Sequence, residues 1–345
     1  MGASRAKAGN ISHVRTVQKG TDTPATPNRG SKPRKRQVVR KKSFTRGEGE
    51  EEESLVKVAK KMVKTLHFNE LLPWQQDDYY IHTGYRPLQD SYIGCIRTLS
   101  YIHNETGNIF SHKLGALLFA AAFYFTFTYN ILGETVKVAR WGDYAAFGVF
   151  LLSAVVCFSL SAWFHTVICH SQRVCILFNK IDYFGIVVLI CGSTYPSLYW
   201  GFSCHPHFRV VYCTMTTIFG GMTMYTSLAS RFSTPNHRDI RTASFVGLGL
   251  SGLIPLLHGF YLHGIATSIE AVSFWHLMGM AAFYIVGAIV YTLRVPERIF
   301  PGRFDIWGHS HQIFHVLVLG GAITHYLGLV KSCRYWREGT PPCQL

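Results

Sequence analysis

Seven apolar stretches, each long enough to cross a lipid bilayer, constrain the fold of this chain more than any other feature of its sequence. A helix needs about 20 residues to span the hydrocarbon core, because it rises about 1.5 Å per residue and the core is about 30 Å thick. The sequence therefore predicts an all-α fold, a seven-transmembrane helix bundle in an integral, multi-pass membrane protein. The predicted spans are residues 110–130, 142–165, 181–201, 210–229, 243–263, 272–293 and 309–330.

The first 53 residues are predicted to form a disordered cytoplasmic tail. Of the 34 Lys and Arg in the 345 residues, thirteen lie within residues 1–46 beside the single acid Asp22, which places +12 of the net +15 there. An acidic run follows, and the tail has too little apolar surface to offset the entropy of ordering. It either stays solvated or contacts anionic lipid. Nucleic-acid binding is not expected, because no recognition fold follows the basic run.

Residues 54–108 are predicted to be an amphipathic juxtamembrane segment. Its first part places apolar residues on one helical face and lysines on the others. Such a helix lies on the inner membrane surface or docks against the protein's own cytoplasmic loops. The apolar face comprises Leu55, Ala59, Met62 and Leu66. The predicted transmembrane domain is then 109–330, followed by a short extracytoplasmic tail at 331–345.

The distribution of Lys and Arg between the loops predicts the orientation of the bundle. With the basic tail in the cytoplasm, the inner loops carry eight of these residues and the outer loops three. Cytoplasmic loops are enriched in Lys and Arg, so the N-terminus is predicted inside and the C-terminus outside. The inner residues are Arg173, Lys180, Arg231, Arg238, Arg241, Arg294, Arg298 and Arg303, and the outer ones Lys137, Arg140 and Arg209.

Several local motifs match known signatures, but their position in the sequence does not support the function that each signature indicates. Gly247-x-Gly249-x-x-Gly252 matches a dinucleotide fingerprint, but it lies inside the fifth span with no strand before it, so close helix packing through Gly247 and Ser251 is predicted instead. The sequon at Asn104 falls on the cytosolic side of the predicted topology. The nine cysteines contain no C-x-x-C pair, which excludes a zinc ribbon and a disulfide framework.

Ionisable residues from three spans fall at one depth in this topology. His165 ends the second span, Asp182 begins the third, and His311 and His315 lie in the first turns of the seventh. All four are placed near the cytoplasmic surface by an orientation derived from Lys and Arg alone. Ionisable groups within a span are costly and usually face the bundle interior, where they are paired or functional.

A zinc site is one interpretation of this group. His311 and His315, four residues apart on one helical face, and His165 from a neighbouring helix would supply three ligands and leave the fourth position to water. Asp182 would hold that water, and Ser161, one turn before His165, would bond the water or a substrate carbonyl. Two alternatives stay open on the residues alone: the histidines pack without a metal, or Cys169 replaces or joins His165. His276 and His325 are assigned no role.

Five ordered motifs make the chain similar to the progestin and adipoQ receptor (PAQR) family, most closely to its adiponectin-receptor branch and the fungal relatives of that branch. The similarity covers residues 51 to 330 and leaves out the tail. The motifs are HNETGNIFSH (103–112), SAWFHTVICHS (161–171), KIDYFGI (180–186), RFSTPNHR with LGLSG (231–252), and FDIWGHSHQIFHVLV (304–318).

The resemblance implies seven transmembrane helices with the N-terminus in the cytosol, inverted relative to G-protein-coupled receptors. It also implies a zinc ion near the inner surface, with ligands that fall on His165, His311 and His315, an aspartate that falls on Asp182 and a serine that falls on Ser161. His309 is interpreted as a lining or packing residue rather than a ligand, since it lies about 120° from His315 around the helix.

Two functions compete at this stage, and the enzyme assignment is open between them. The first is a zinc-dependent amidase acting on a ceramide-like membrane lipid, as the adiponectin-receptor branch implies. The second is a signalling receptor for an extracellular protein or sterol ligand, in which zinc is structural. Metal transport is disfavoured, because no chain of carboxylates or histidines continues across the bilayer. The expected location is the plasma membrane or the endoplasmic reticulum.

Overall fold

In the computed structural model of the chain, the described residues are 65–129, 139–229 and 237–338. Their backbone is mostly α-helical, but residues 65–91 contain only two short 3-10 helices (Phe68–Glu70 and Pro73–Gln75) and one isolated antiparallel bridge between Leu66 and Tyr85, and residues 294–309 contain no helix. The predicted tail and most of the predicted amphipathic helix after it lie outside the described residues. The helices are α1 (Tyr92–Arg97), α2 (Thr106–Thr128), α3 (Trp141–Val167), α4 (Gln172–Gly201), α5 (Pro206–Leu228), α6 (Arg238–Leu250), α7 (Leu253–His263), α8 (Ile265–Ala271), α9 (Phe274–Leu293) and α10 (Ser310–Glu338).

The predicted all-α, multi-pass membrane bundle is confirmed. Helices α2, α3, α4, α9 and α10 and the pair α6–α7 are each long and apolar enough to cross a membrane. Helix α5 has 23 residues, which is enough length for a seventh crossing. Helix α4 begins nine residues before the predicted third span, and α10 continues as one helix to Glu338 rather than ending near residue 330.

The fifth predicted span consists of two helices, α6 and α7, with a break at Ser251 and Gly252. Pro255 lies in the first turn of α7, where its missing N–H would have no partner within the helix in any case. The predicted close packing through Gly247 is wrong: a Cβ added at Gly247 or Gly249 would meet no described atom within 4 Å. Gly249 and Gly252 instead line an internal cavity.

Helix α3 forms the centre of the bundle. Its side chains Phe147, Phe150, Leu151 and Phe158 are almost completely buried. Helix α4 crosses α3 closely, because a Cβ added at Gly185 would lie 3.1 Å from the Cys157 backbone. This close contact fixes the position of α4 along α3. It lies about one helical turn from Asp182.

The two ends of the bundle differ in their chemistry. At the histidine end, defined as the end where α3 finishes and α10 begins, residues 65–104 pack over the helix termini. Arg86 is buried there and donates hydrogen bonds to the carbonyls of His165 at 2.5 Å and Thr166 at 3.0 Å. These carbonyls belong to the last turn of α3 and have no partner within the helix, so Arg86 caps it.

At the opposite end, a buried carboxylate joins α3, α4 and α10. Asp143 is completely buried and accepts two hydrogen bonds of 2.7 Å from Arg337. Trp200 Nε1 donates to the same carboxylate at 2.9 Å, and the Arg140 backbone N–H at 2.7 Å. Its charge is therefore paired and its oxygens are hydrogen-bonded, as a buried ion requires.

Replacing Asp143 is expected to destabilise the bundle strongly. Asp143→Ala leaves the Arg337 guanidinium beside a buried site with no counter-charge, which typically costs about 3–5 kcal/mol. Glu270→Ala is the matched control, since the Glu270–Lys331 pair is about half exposed and is expected to contribute less than about 1 kcal/mol. Thermal unfolding in detergent micelles measures both variants, and equal losses would contradict this role for Asp143.

Candidate metal centre

Two helix ends position the three histidines. His165 lies in the last turn of α3, and His311 and His315 occupy the first two turns of α10. The start of α10 is fixed by the buried Glu297, whose carboxylate accepts hydrogen bonds from the Ser310 backbone N–H at 2.7 Å and from the Ser310 hydroxyl. A carboxylate at a helix N-terminus is stabilised by the helix dipole and by the free N–H groups there.

The three imidazole rings converge. One ring nitrogen from each of His165, His311 and His315 lies within 4.8 Å of the others. The ring centroids are 4.7 to 4.9 Å apart in all three pairs. His165 and His315 are buried and His311 is partly exposed. The structure therefore brings together the three histidines predicted from the sequence, in a group that could hold a metal ion.

Hydrogen bonds to Nδ1 leave the other ring nitrogen available in two of the histidines. His165 Nδ1 lies 2.8 Å from Glu105 Oε2, and His315 Nδ1 lies 3.1 Å from the Asn108 carbonyl oxygen. Both acceptors require a proton on Nδ1, so in the neutral ring Nε2 is the nitrogen left to bind a metal ion. His165 Nε2 is buried and has no hydrogen-bond partner among the described residues, a costly state that a bound metal ion would relieve.

Glu105 contacts the candidate metal group and was not predicted from the sequence. It immediately precedes α2, accepts hydrogen bonds from Asn108 Nδ2 at 2.7 Å and from His165, and has a side chain that is one-fifth exposed. Burial opposes its ionisation, but His165, Arg86 and the hydrogen bonds lower the pKa of Glu105 well below its usual value. A carboxylate that orients a metal-binding histidine is a recurrent arrangement. The acidic residue within HNETGN was the available signal.

Asp182 and Ser161 lie beside the histidines. Asp182 projects from α4 and Ser161 from α3, four residues before His165, and both side chains are buried. The Ser161 hydroxyl and the Asp182 carboxylate are neighbours. Both residues line the same cavity as His311 and His315.

Cys169 does not belong to the histidine group. Its sulfur lies 3.6 Å from the sulfur of Cys95, and the candidate metal group contains no cysteine among the described residues. The other span-end histidines make packing hydrogen bonds, as expected. His309 Nε2 lies 3.1 Å from the Asn104 carbonyl oxygen, and His325 Nε2 lies 2.9 Å from that of Ser193.

A fourth histidine stands against the group and was not predicted. The rings of His112 and His315 stack in parallel, with centroids 3.6 Å apart and planes tilted by 6°. Both nitrogens of His112 are buried without a hydrogen-bond partner among the described residues. The stack fixes the plane of the His315 ring and therefore the direction of its Nε2.

An apolar cavity of about 320 Å³ opens from the histidines into the bundle. At the histidine end its walls carry Ser161, Asp182, His311 and His315. Away from that end the lining is mostly aliphatic and aromatic, and it continues along α4, α7 and α9 as far as His263 and Ser268. The cavity thus joins one polar end to a long apolar interior.

Comparison with known proteins places this geometry in context. A model of the haemolysin-III-related family matches residues 100–326, which include all three histidines, Asp182 and Ser161. The chain is 40% identical over 297 residues to the adiponectin receptor protein of Drosophila melanogaster, covering 85% of this chain and 66% of that protein. It is 39% identical over 268 residues to progestin and adipoQ receptor-like protein 1 of Caenorhabditis elegans, covering 77% and 60%.

A fungal relative is matched over more of its length. The chain is 38% identical over 280 residues to the ADIPOR-like receptor IZH2 of Saccharomyces cerevisiae, covering 79% of this chain and 86% of the yeast protein. The two animal relatives are longer, and less than two thirds of either is matched.

Removing the Glu105 carboxylate is expected to weaken metal binding without removing a ligand. Glu105→Ala leaves His165 Nδ1 without its acceptor, and loss of such a partner typically costs about 10- to 100-fold in metal affinity. Zinc competition against a chelating dye measures the change in purified protein. Glu70→Gln, an exposed carboxylate at the same end, is the control. Equal affinities for Glu105→Ala and the wild type would show that Glu105 does not position His165.

Proposed function

The chain belongs to the PAQR family of haemolysin-III-related membrane proteins, and on that premise we propose that it is a zinc-dependent hydrolase of an amide bond in a ceramide-like lipid. One observation carries the proposal: three converging imidazoles and a buried carboxylate stand together at the polar end of an apolar cavity. A purely structural site would need neither the carboxylate nor the cavity.

The donor set suits zinc. Three neutral imidazoles from two helices are a common ligand set of catalytic zinc, whereas magnesium and calcium prefer oxygen ligands. The orphaned Nε2 of His165 and the Nδ1 hydrogen bonds of His165 and His315 fit this use. When bound, zinc would supply Lewis-acid activation of water and of the substrate carbonyl.

Asp182 is the residue to which we assign proton transfer. It is the carboxylate within the cavity that shares the polar end with His311 and His315. As a general base it would take a proton from the attacking water and deliver it to the leaving amine nitrogen. Ser161 would hold the Asp182 carboxylate in place by a hydrogen bond and leave the second carboxylate oxygen for the water.

The cavity supports an amphiphilic substrate. Its polar groups are concentrated at one end, and the remaining wall offers apolar side chains such as Leu189, Val246 and Ile285 to a long hydrocarbon chain. Burial of apolar surface contributes about 25 cal/mol per Å², so the chain supplies binding free energy while the amide lies at the histidines. The substrate would enter sideways from the bilayer between helices.

A signalling receptor is the second candidate, because the printed names of the fly, worm and yeast relatives describe receptors. In that case the metal would hold α3 and α10 together, and an extracellular protein or sterol would act on the outer surface. The two candidates differ in the role of Asp182, which a structural metal would not require.

We also propose that the histidine end faces the cytoplasm. The charge count in the loops supports this orientation, as do the cysteines. Cys95, Cys169 and Cys175 at the histidine end are free thiols, whereas Cys204, in the connection that follows α4 at the opposite end, is disulfide-bonded. Disulfides persist in oxidising compartments and are rare in the cytosol.

Glycosylation is expected to report this orientation. Glu338→Asn creates an Asn-x-Thr sequon with Thr340, which should be modified if the C-terminus lies outside. The native sequon Asn10-Ile11-Ser12 in the basic tail is the internal control and should stay unmodified. A mobility shift removed by endoglycosidase measures both, and modification of Asn10 with none at position 338 would reverse the orientation.

Asp182→Asn is expected to separate catalysis from metal binding. The variant keeps three zinc ligands, so zinc content should stay near one per chain, while ceramide hydrolysis falls about 10²- to 10⁴-fold with the loss of the general base. His315→Ala should lose both zinc and turnover.

Asp239→Asn, an exposed aspartate at the start of α6, is the control. Zinc analysis and release of fatty acid from ceramide in lipid nanodiscs measure both quantities. Wild-type turnover in Asp182→Asn would refute the hydrolase proposal and favour the receptor.

A further inference from the structure

Two cysteines outside the histidine group form a close, buried thiol pair. Cys95 in α1 and Cys169, just after α3, are both buried and neither is in a disulfide. Their sulfur atoms are 3.6 Å apart. A disulfide requires an S–S distance of about 2.05 Å, so the sulfurs need to move only about 1.5 Å closer for a covalent bond to form.

The pair is connected to the metal centre through a single helical turn. Cys169 follows His165 by four residues, and its carbonyl accepts a hydrogen bond of 2.9 Å from the Gln89 backbone N–H. Arg86, three residues before Gln89, donates to the His165 carbonyl at 2.5 Å. The same segment therefore holds both the ligand residue and the thiol.

Cys95 is connected to Arg86 as well. The Thr98 hydroxyl donates to the Cys95 carbonyl at 2.6 Å and accepts a hydrogen bond of 3.1 Å from Arg86. Any movement of Cys169 towards α1 therefore strains the hydrogen bonds that Arg86 donates to the last turn of α3. His165 is the metal ligand in that turn.

The setting also favours reaction of one thiol. The hydrogen bond with Cys95 and the nearby Arg86 guanidinium lower the pKa of Cys169 to about 7, although burial opposes the shift. A thiolate is the nucleophilic form of cysteine, and an adjacent thiol can resolve its oxidation product.

We propose that Cys95 and Cys169 are a peroxide-oxidisable pair whose disulfide loosens the metal site at His165. The oxidant is a small peroxide, since the burial of both sulfurs excludes bulky disulfide reagents. Cys169 attacks one peroxide oxygen, the O–O bond breaks, and a sulfenic acid and one water form. Cys95 then attacks the sulfenic sulfur, the S–S bond forms and a second water leaves. In total, two thiols and one hydrogen peroxide give one disulfide and two waters.

Thiol mapping tests the first half of this proposal. The full chain in lipid nanodiscs is treated with hydrogen peroxide, its remaining thiols are alkylated, and it is digested without reductant. A Cys95–Cys169 cross-linked peptide is expected to accumulate before Cys157 or Cys333 is modified, and to disappear on reduction. Cys175→Ser, at the same end, should leave the cross-link unchanged. Cys95 and Cys169 that stay free, or that oxidise separately to sulfinic acids, would overturn the proposal.

Metal release tests the second half, which rests on the proposed zinc site. Zinc transfer to a chelating dye is expected to be about tenfold faster after oxidation, the lower end of the effect of losing support for a ligand. Cys169→Ser should show no peroxide effect. Equal release before and after cross-linking, or acceleration in Cys169→Ser, would refute the coupling. Absence of zinc from the reduced protein would instead refute the zinc site, and the peptide map would still decide the thiol chemistry.

Discussion

The convergence of three imidazole rings at the junction of α3 and α10 is the contact on which the proposed function of this bundle depends. Imidazole nitrogens that lack a partner in an apolar interior cost free energy, so hydrogen bonds or a bound ion are expected at most of them. Glu105 and the Asn108 carbonyl bind the Nδ1 atoms of His165 and His315. One ring nitrogen of each of the three histidines lies within 4.8 Å of the others. A bound metal ion would complete this arrangement, because His165 Nε2 is a buried polar atom with no hydrogen-bond partner among the described residues.

The surrounding chain holds the ends of those helices. Arg86 caps the end of α3, and Glu297 caps the start of α10. At the other end of the bundle, Asp143 and Arg337 connect the beginning of α3 with the end of α10. The two helices that carry the histidines are therefore fixed at both ends, which is the preorganisation that a metal site requires. The cavity lies beside them, among helices whose outer faces are exposed to lipid.

The site residues could be predicted because the sequence indicates how deep each residue lies in the membrane. Lys and Arg in the loops give the orientation, and the orientation assigns a height to His165, Asp182 and His311. Hydrophobic length likewise gives the ends of the spans to within about two and a half helical turns, because the bilayer sets the length of a span. The similarity to a known family then selected zinc among the alternatives that the residues left open.

Glu105, Arg86 and His112 could not be predicted in the same way. Glu105 and Arg86 lie in the segment that folds over the helix ends, and no periodicity indicates where such a segment packs. His112 lies within a span, but periodicity alone does not show that its ring stacks on His315. The prediction of close packing at Gly247 was wrong for a related reason. Small residues at helical spacing allow a neighbouring helix to approach closely, but they do not show that one is present.

Zinc-edge X-ray absorption of the purified chain in lipid tests the central claim most directly, because it reports the ligands rather than their consequences. We expect about one zinc per chain, with four nitrogen or oxygen scatterers at about 2.0–2.1 Å and the outer-shell pattern of three imidazoles. A sulfur scatterer at about 2.3 Å, or a spectrum with fewer than three imidazoles, would contradict a three-histidine zinc centre.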